Sequence, residues 1–429
     1  MLGFIGHKYN YFILLFILII FVVVIPISYS VFSKNTIEAQ KIVIASRYSL
    51  LSDKKSVYLL LNDSAAIIKS FKDDMPESHQ CFVNFYSLAC RYSGYIGPME
   101  EAYWDPVTSI KNAVKAGCRT FVIEIDYIDE CTGEKIQYYP RVVVRDVQGK
   151  LRIDYKSSHP ICNSARHSSI QDVCNKINEY AFSKEYCNNT TDPVVIVLYF
   201  LRQPCVSNIP LPNESPIVLE YYSNVAKALS CFQDRLLTNE LDGGIYYRQK
   251  QESRLLVNNI SEYANKVLVF SNANTSGFRQ ASYSSGEDLD FIVNLRLACP
   301  STGLVDTEID ADFGTIDVAE YYTIIPDSRR SDIIKNTKLN WRLSVSSDPF
   351  VNIDEKMYKL MNTFGVNCTP ITLYDTKNDF MFSDNLFKFY SYIPKPLALR
   401  YIKAPDIIPM KLTESARVPA IKDMEDMIP

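Results

Sequence analysis

The chain has 429 residues, with 45 Lys and Arg against 49 Asp and Glu, a net charge of -4 and a pI near 5.7. That balance gives no global basic field, so nucleic acid is not the expected partner. Eleven cysteines, an odd number with no C-x-x-C pair, argue against a zinc ribbon or a tidy disulfide framework and read mostly as small buried hydrophobes.

Residues 9–33 carry no charge and 11–25 are apolar without a break. Such a stretch predicts a helix long enough to cross the roughly 30 Å hydrocarbon core. A cleaved signal peptide has a shorter apolar region followed by small residues, and Ser28-Tyr29-Ser30 is a poor cleavage site, so the expectation is an uncleaved single-pass anchor. Lys8 precedes the span, whereas Lys34, Lys41 and Arg47 follow it, which leans towards a cytoplasmic soluble domain. Asn-x-Ser/Thr triplets at Asn62, Asn188, Asn189, Asn213, Asn259, Asn274 and Asn367 matter only if that domain is lumenal.

Residues 34–75 read as a connector, helical in part. Beyond them apolar, β-rich runs alternate with amphipathic segments, the pattern of a parallel α/β sheet or barrel. Strands are expected at 81–90, 120–129, 141–147, 194–200, 266–271, 321–325, 341–345 and 367–374, with helices at 106–116, 169–183, 221–237, 286–297 and 353–364. Eight strands with intervening helices suit a TIM-type (β/α)8 barrel better than an open sheet. Pro210, Pro212 and Pro216 mark a loop, and 271–285 mark another. Residues 392–429 hold six prolines and no periodicity, which predicts an extended strap. The expected layout is an anchor at 1–33, a connector at 34–75, a barrel at 76–400 and a tail at 401–429, the tail being a candidate contact for a protein partner.

Residues 104–119, from Trp104-Asp105-Pro106 to Gly117-Cys118-Arg119, resemble the phosphoinositide-specific phospholipase C family, in which a helix ending in Gly-Cys-Arg leads into an acidic second strand. Here that strand reads Thr120-Phe121-Val122-Ile123-Glu124-Ile125-Asp126. Pro140-Arg141-Val142-Val143-Val144 is similar to the family's third strand, the segment from Ile170 to Phe182 to its next helix, and Asp192-Pro193-Val194-Val195 to the start of its fourth strand. Phe364-Gly365-Val366-Asn367-Cys368-Thr369-Pro370 resembles the last barrel strand, and Tyr392-Ile393-Pro394-Lys395-Pro396 with Arg400 resembles the phrase that follows it. The resemblance covers roughly 76–400 and implies the family fold, without its accessory modules.

It breaks down where chemistry is expected. The family uses two histidines and a Ca²⁺ ion held by Asn, Glu, Asp and Glu, because its mechanism needs groups titrating near neutrality and oxygen ligands for a hard cation. Where the family reads Ser-His-Asn-Thr-Tyr, this chain has Ala89-Cys90-Arg91-Tyr92-Ser93, so one histidine position falls at Cys90 and a calcium ligand at Arg91. The second histidine falls near Arg145-Asp146, a further calcium ligand at Tyr199, and the phosphate-binding lysines near Phe270 and Asn272. Glu124 and Asp126 survive when two residues are skipped after Gly-Cys-Arg; without that gap, Val122 and Glu124 take the family's carboxylate positions.

Two residues apart on a strand, Glu124 and Asp126 face one side. Two readings of them stand: an ion-pair network with Arg91 or Arg145, or a residual metal site, Ca²⁺ by resemblance. Arg91 and Arg145 are the candidate ligand-binding residues. Of the four histidines, His7 flanks the span, His79 precedes the first strand, and His159 and His167 follow the third. Cys90 as a nucleophile needs a nearby base. The leading functional reading is a catalytically degenerate, membrane-tethered phospholipase C-like module that binds membrane lipid or acts as a scaffold. Its rivals are a divergent phosphoric diester hydrolase and a structural protein of a membrane-bounded viral particle.

Overall fold

The computed structural model describes residues 14–31, 42, 75–96, 103–128, 138–145, 149, 151, 168–238, 245–252, 254–297, 315–317, 330–345, 360–371, 387 and 390–403. Most of the expected 34–75 connector, the 321–325 strand, most of the 353–364 helix and the tail beyond 403 lie outside them. Leu14–Val31 is an 18-residue apolar helix near the N-terminus, exposed along its length, with a π-helical turn at Ile20–Val24. At about 1.5 Å per residue it extends roughly 27 Å, long and apolar enough to cross a bilayer.

The folded part is α/β with a parallel sheet. Its strands are β1 (Ala89–Cys90), β2 (Thr120–Asp126), β3 (Val194–Phe200), β4 (Val267–Ser271) and β5 (Leu295–Arg296), paired in that order with parallel register. On the other edge of β1, parallel bridges Cys90↔Ile371 and Leu343↔Cys368 carry the pairing through residues 368–371 to β7 (Leu343–Val345), which pairs in parallel with β6 (Thr315–Asp317). No pairing joins β5 to β6 among the described residues, so no closed ring of strands is formed by them.

The sheet nevertheless curls. Along the pairing path β4 and β7 are five strand spacings apart, about 24 Å in a flat sheet. Yet the ring of Phe270, on β4, lies 4.8 Å from that of Trp341, just before β7. Alternation assigns the two faces. Ala89, Val122, Val195, Val197, Leu268, Leu295 and Leu343 share one inner core, while Cys90, Phe121, Ile123, Ile125, Ile196 and Val269 pack outward under the helices. Buried on both faces, β3 reads as the unbroken apolar run Val-Val-Ile-Val-Leu-Tyr-Phe.

Helices α1 (Pro106–Ala116), α2 (Ile170–Ala181), α3 (Pro216–Leu229) and α4 (Arg330–Leu339) follow β1, β2, β3 and β6. The first starts where Asp105 accepts from the Thr108 amide at 3.0 Å with Pro106 in the first turn, and stops at Gly117 with φ 93°. Ser169 caps α2 in the same way. Pro216, read from sequence as loop, is the first residue of α3, where a missing N–H costs nothing.

Three expectations are corrected. The described part of the expected 141–147 strand, residues 141–145, does not lie between β2 and β3, because those two pair directly over six residues. Instead Arg141–Val142 adds antiparallel to the end of β2, at Ile125↔Val142 and Asp126↔Arg141. The 286–297 helix shrinks to Leu289–Ile292, after which Asn294 uses its side-chain oxygen on the Val269 amide (2.7 Å) and turns the chain into β5. Similarly, the 81–90 stretch is broken into a 3-10 turn, a short strand Phe85–Ser87 paired antiparallel with Tyr392–Pro394, and β1.

That last pairing draws the proline-rich strap across the N-terminal ends of the strands. Lys395 is fully buried there, donating to the carbonyls of Thr337 (2.8 Å) and the Asn367 side chain (3.1 Å). Burial without a carboxylate partner pushes its ammonium well below the ordinary value. The unfolded chain therefore binds this proton at pH values where the folded chain has released it, and stability rises with pH up to the unfolded value. Lys250, held down to about 8 by burial, adds to the same slope. The full-length chain is predicted to show a thermal midpoint that climbs between about pH 7 and 10. Lys395→Met removes most of that climb, and an unchanged pH slope in the variant contradicts the assignment.

Candidate functional site

The C-terminal ends of β1, β2 and β3 carry a cluster of buried charge. Glu124 and Asp126, on β2, share the inner face with Val122 and are 2% and 0% exposed. Such burial is costly for a carboxylate unless a cation meets it. Arg91, the residue after β1, places Nε 2.5 Å from Glu124 Oε1. Arg145, three residues beyond Val142, places Nε 2.5 Å from Asp126 Oδ2, and Arg202, two beyond the end of β3, places Nε 2.7 Å from Asp126 Oδ1.

Each arginine is oriented by its surroundings. Arg91 lies over the Tyr92 ring at 4.6 Å, and Tyr92 adopts φ 56°, a left-handed conformation uncommon outside glycine. The turn is held by Gly94, at φ 104°, where a Cβ would come within 2.5 Å of the Trp104 ring. Only glycine fits there. Further along, Tyr95 donates to the Val142 carbonyl at 2.6 Å, tying this turn to the segment that carries Arg145. Arg145 also donates to the Gly149 carbonyl (2.8 Å) and the Tyr127 carbonyl (3.3 Å). Arg202 lies 4.1 Å from the Tyr127 ring centroid and donates to the Tyr127 carbonyl at 3.0 Å.

The electrostatics follow from burial against charge. Burial raises the Asp126 carboxyl above its ordinary value, against the opposing pull of Arg145 and Arg202. Burial works to lower the Arg91 guanidinium, but Glu124 more than offsets it and the net direction is upward. Among the described residues, three guanidiniums face the two carboxylates.

Of the residues singled out from sequence, the structure brings together Arg91, Glu124, Asp126 and Arg145. Cys90 is not with them: it faces the helix layer, with Ser93 Oγ at 3.4 Å as its polar neighbour and no base beside its thiol among the described residues. Tyr199 stands opposite Glu124 in the register. Phe270 belongs to the inner core, and Asn272 clamps Phe200 through both its carbonyl (2.9 Å) and its amide (2.7 Å). His79 is at the opposite end of the strands, where its carbonyl accepts from Asn84, while His7, His159 and His167 lie outside the described residues. Arg202 and Tyr127 were missed from sequence; the available signal was a basic residue just past a wholly apolar parallel strand whose neighbour ends in an acid.

This donor set does not fit a calcium ion. A hard cation needs several oxygens, and here both carboxylates are engaged by guanidinium groups. Among the described residues no three His, Cys, Asp or Glu side chains gather as a metal site. What the arrangement can do is present positive charge, oriented by two aromatic rings, at the mouth of the strands.

No family model matches the chain, and no curated protein matches it in sequence. Among solved structures it is similar to L. pealei PLC21, at 10% identity and a TM-score of 0.46, covering 76% of this chain and 38% of that one. A second, S. officinalis PLC21, is 11% identical with a TM-score of 0.45, covering 77% and 40%. The chain thus spans about two fifths of the length of both. A calcium-dependent phosphoinositol-specific phospholipase C from a Gram-negative Pseudomonas sp is 10% identical with a TM-score of 0.41, covering 74% and 96%. Likeness at this level concerns the path of the chain and does not reach the chemistry of the site.

If the carboxylates are committed to arginine, Ca²⁺ at about 1 mM, enough to occupy even weak oxygen sites, leaves the thermal midpoint of the full-length chain unchanged. A rise in midpoint that Asp126→Asn abolishes is the contrary result.

Proposed function

We propose that this chain is a membrane-anchored, phospholipase C-like barrel that binds at a bilayer surface as a recognition or scaffold module and does not hydrolyse lipid phosphodiesters. The observation that carries this reading is the occupation of Glu124 and Asp126 by Arg91, Arg145 and Arg202. Hydrolysis needs a group that exchanges protons near neutrality at the strand ends. The described residues at that mouth supply guanidiniums, which do not, and carboxylates already held by them. Guanidinium groups fixed at the mouth suit an anionic lipid headgroup.

In this reading residues 76–400 form an eight-stranded barrel whose seam closes β5 to β6, residues 1–33 tether it, 34–75 connect the two, and 401–429 are a tail available to a protein partner. The curl of the sheet and the parallel order of its strands support the barrel. The exposed apolar helix Leu14–Val31 supports the tether.

The same reading puts the folded part on the cytoplasmic side. Asn367 heads an Asn-Cys-Thr triplet, yet it is fully buried and its Nδ2 donates to the carbonyls of Val83 (2.7 Å) and Phe85 (3.0 Å). A glycan attached to that nitrogen before folding is incompatible with this packing. The eight described cysteines are free thiols, as suits a reducing compartment.

The test is to reconstitute the full chain with vesicles of phosphatidylinositol or its bisphosphate, with and without Ca²⁺, and to assay released inositol phosphate. Release at the level of protein-free vesicles is expected; turnover that Glu124→Gln abolishes establishes the divergent phosphodiesterase instead. Made in glycosylation-competent membranes, the chain is expected to keep its gel mobility on endoglycosidase treatment, and a shift lost in Asn188→Gln places the domain in the lumen.

A further inference from the structure

The folded part is entered and left at one place. Met75 is buried and its carbonyl accepts from Gln80 Nε2 at 2.7 Å, so the chain coming from the apolar helix enters at the base, the end of the strands opposite the charged mouth. The strap leaves beside it: the Tyr401 amide donates to Asn84 Oδ1 at 2.7 Å and the Lys403 amide to the Ser78 carbonyl at 3.0 Å. On the strap and on α4, three large apolar side chains face solvent, Leu339 being 48% exposed, Leu397 63% and Ile402 57%. Leu397 opens the 3-10 turn Leu397–Leu399, which packs on α4, and Lys395 fastens the two by donating to the Thr337 carbonyl at 2.8 Å. The exposed stripe of α4 runs through Ser331, Lys335 and Leu339, four residues apart. A lysine adjoins two of the three apolar residues, Lys338 beside Leu339 and Lys403 beside Ile402. Apolar side chains with lysines next to them have the composition of an interfacial contact, in which the apolar parts enter the headgroup layer while the ammonium groups stay at its surface.

The mouth has an exposed apolar pair of its own. Val206 and Ile209 stand opposite each other in the hairpin that follows β3, Cys205–Val206 paired with Ile209–Pro210. Two ends of the domain therefore compete for the bilayer that Leu14–Val31 is long enough to span. Connectivity decides between them. Residues 32–74 join that helix to the base. A face next to the point of attachment has the higher effective concentration at the bilayer, whereas docking the mouth holds the ends of the joining segment further apart and costs chain entropy.

We propose that the base docks on the bilayer spanned by Leu14–Val31, with Leu339, Leu397 and Ile402 entering its headgroup layer, so that the mouth opens away from that bilayer and takes an anionic headgroup from a facing one. This rests on the reading of Leu14–Val31 as a tether and of the arginine-lined mouth as a headgroup site. The domain then bridges two membranes, one held by the helix and the base, the other by Arg91, Arg145 and Arg202.

The experiment reconstitutes the full chain in vesicles of phosphatidylcholine and phosphatidylserine, with or without phosphatidylcholine brominated in its acyl chains, and reads tryptophan emission above that of the native Trp104 and Trp341. Leu397→Trp and, independently, Ile402→Trp are expected to lose emission in the brominated vesicles. Ile209→Trp, at the mouth, is expected to keep its emission there and to lose it only when a second population, of brominated lipid with phosphatidylinositol bisphosphate, is added. Quenching of Ile209→Trp in its own vesicles overturns the proposal. So do base probes that stay bright, whether they emit as in water or are blue-shifted under cover of the chain's own tail or a second copy. The readings beneath it fail differently. A chain that alkaline carbonate strips from the vesicles refutes the tether and the docking with it. Base probes that are quenched while Ile209→Trp responds to neither population uphold the docking of the base and refute the facing headgroup.

Discussion

Two carboxylates buried side by side at the end of one strand dominate this structure. Glu124 and Asp126 are removed from water on the inner face of β2, and an uncompensated pair there would cost several kcal/mol each. Much of the surrounding chain is arranged to prevent that. The turn after β1 holds Arg91 in place through a glycine packed on Trp104 and a left-handed Tyr92. The segment 138–145 lies along the end of β2, with Val143 donating to the Glu124 carbonyl at 3.0 Å, and so delivers Arg145. Beyond β3, the chain turns to bring Arg202 across Tyr127. Where a metal-dependent hydrolase would want open oxygens and a titrating base, this fold has fixed positive charge.

The opposite end of the strands is built differently, from neutral hydrogen bonds and aromatic packing. Phe82 packs at the inner core against Tyr263, Phe270 and Tyr392, and the strap from Tyr392 onward closes the base through Asn84, Asn367 and Lys395. Asn367 is saturated by four partners, donating to Val83 and Phe85 and accepting from the Arg342 amide and Lys395.

Much of the framework was legible in the sequence because its signals are local. Residues 106–116 carry their own cap, proline and terminating glycine, and 194–200 form an apolar run with no other plausible fate; both match the structure. The 141–147 strand failed because Arg-Val-Val-Val has the composition of a parallel strand, while its place was decided by non-local pairing with β2. The 286–297 helix failed because the Asn294 side chain replaces a backbone partner, a choice periodicity cannot register. At the site, the quartet Arg91, Glu124, Asp126 and Arg145 could be read from a family pattern with its chemistry altered. Arg202 was missed, since its signal becomes readable only once β2 and β3 are taken as direct neighbours.

The inner carboxylates are bound to arginine, and that binding defines the site. For the Arg91–Glu124 pair, a double-mutant cycle with Arg91→Met and Glu124→Gln, read by urea unfolding of the full-length chain, measures it directly. The structure predicts a coupling of about 2–3 kcal/mol, with each single variant costing more than the double. A coupling below about 0.5 kcal/mol, the level of an exposed surface pair, would contradict it.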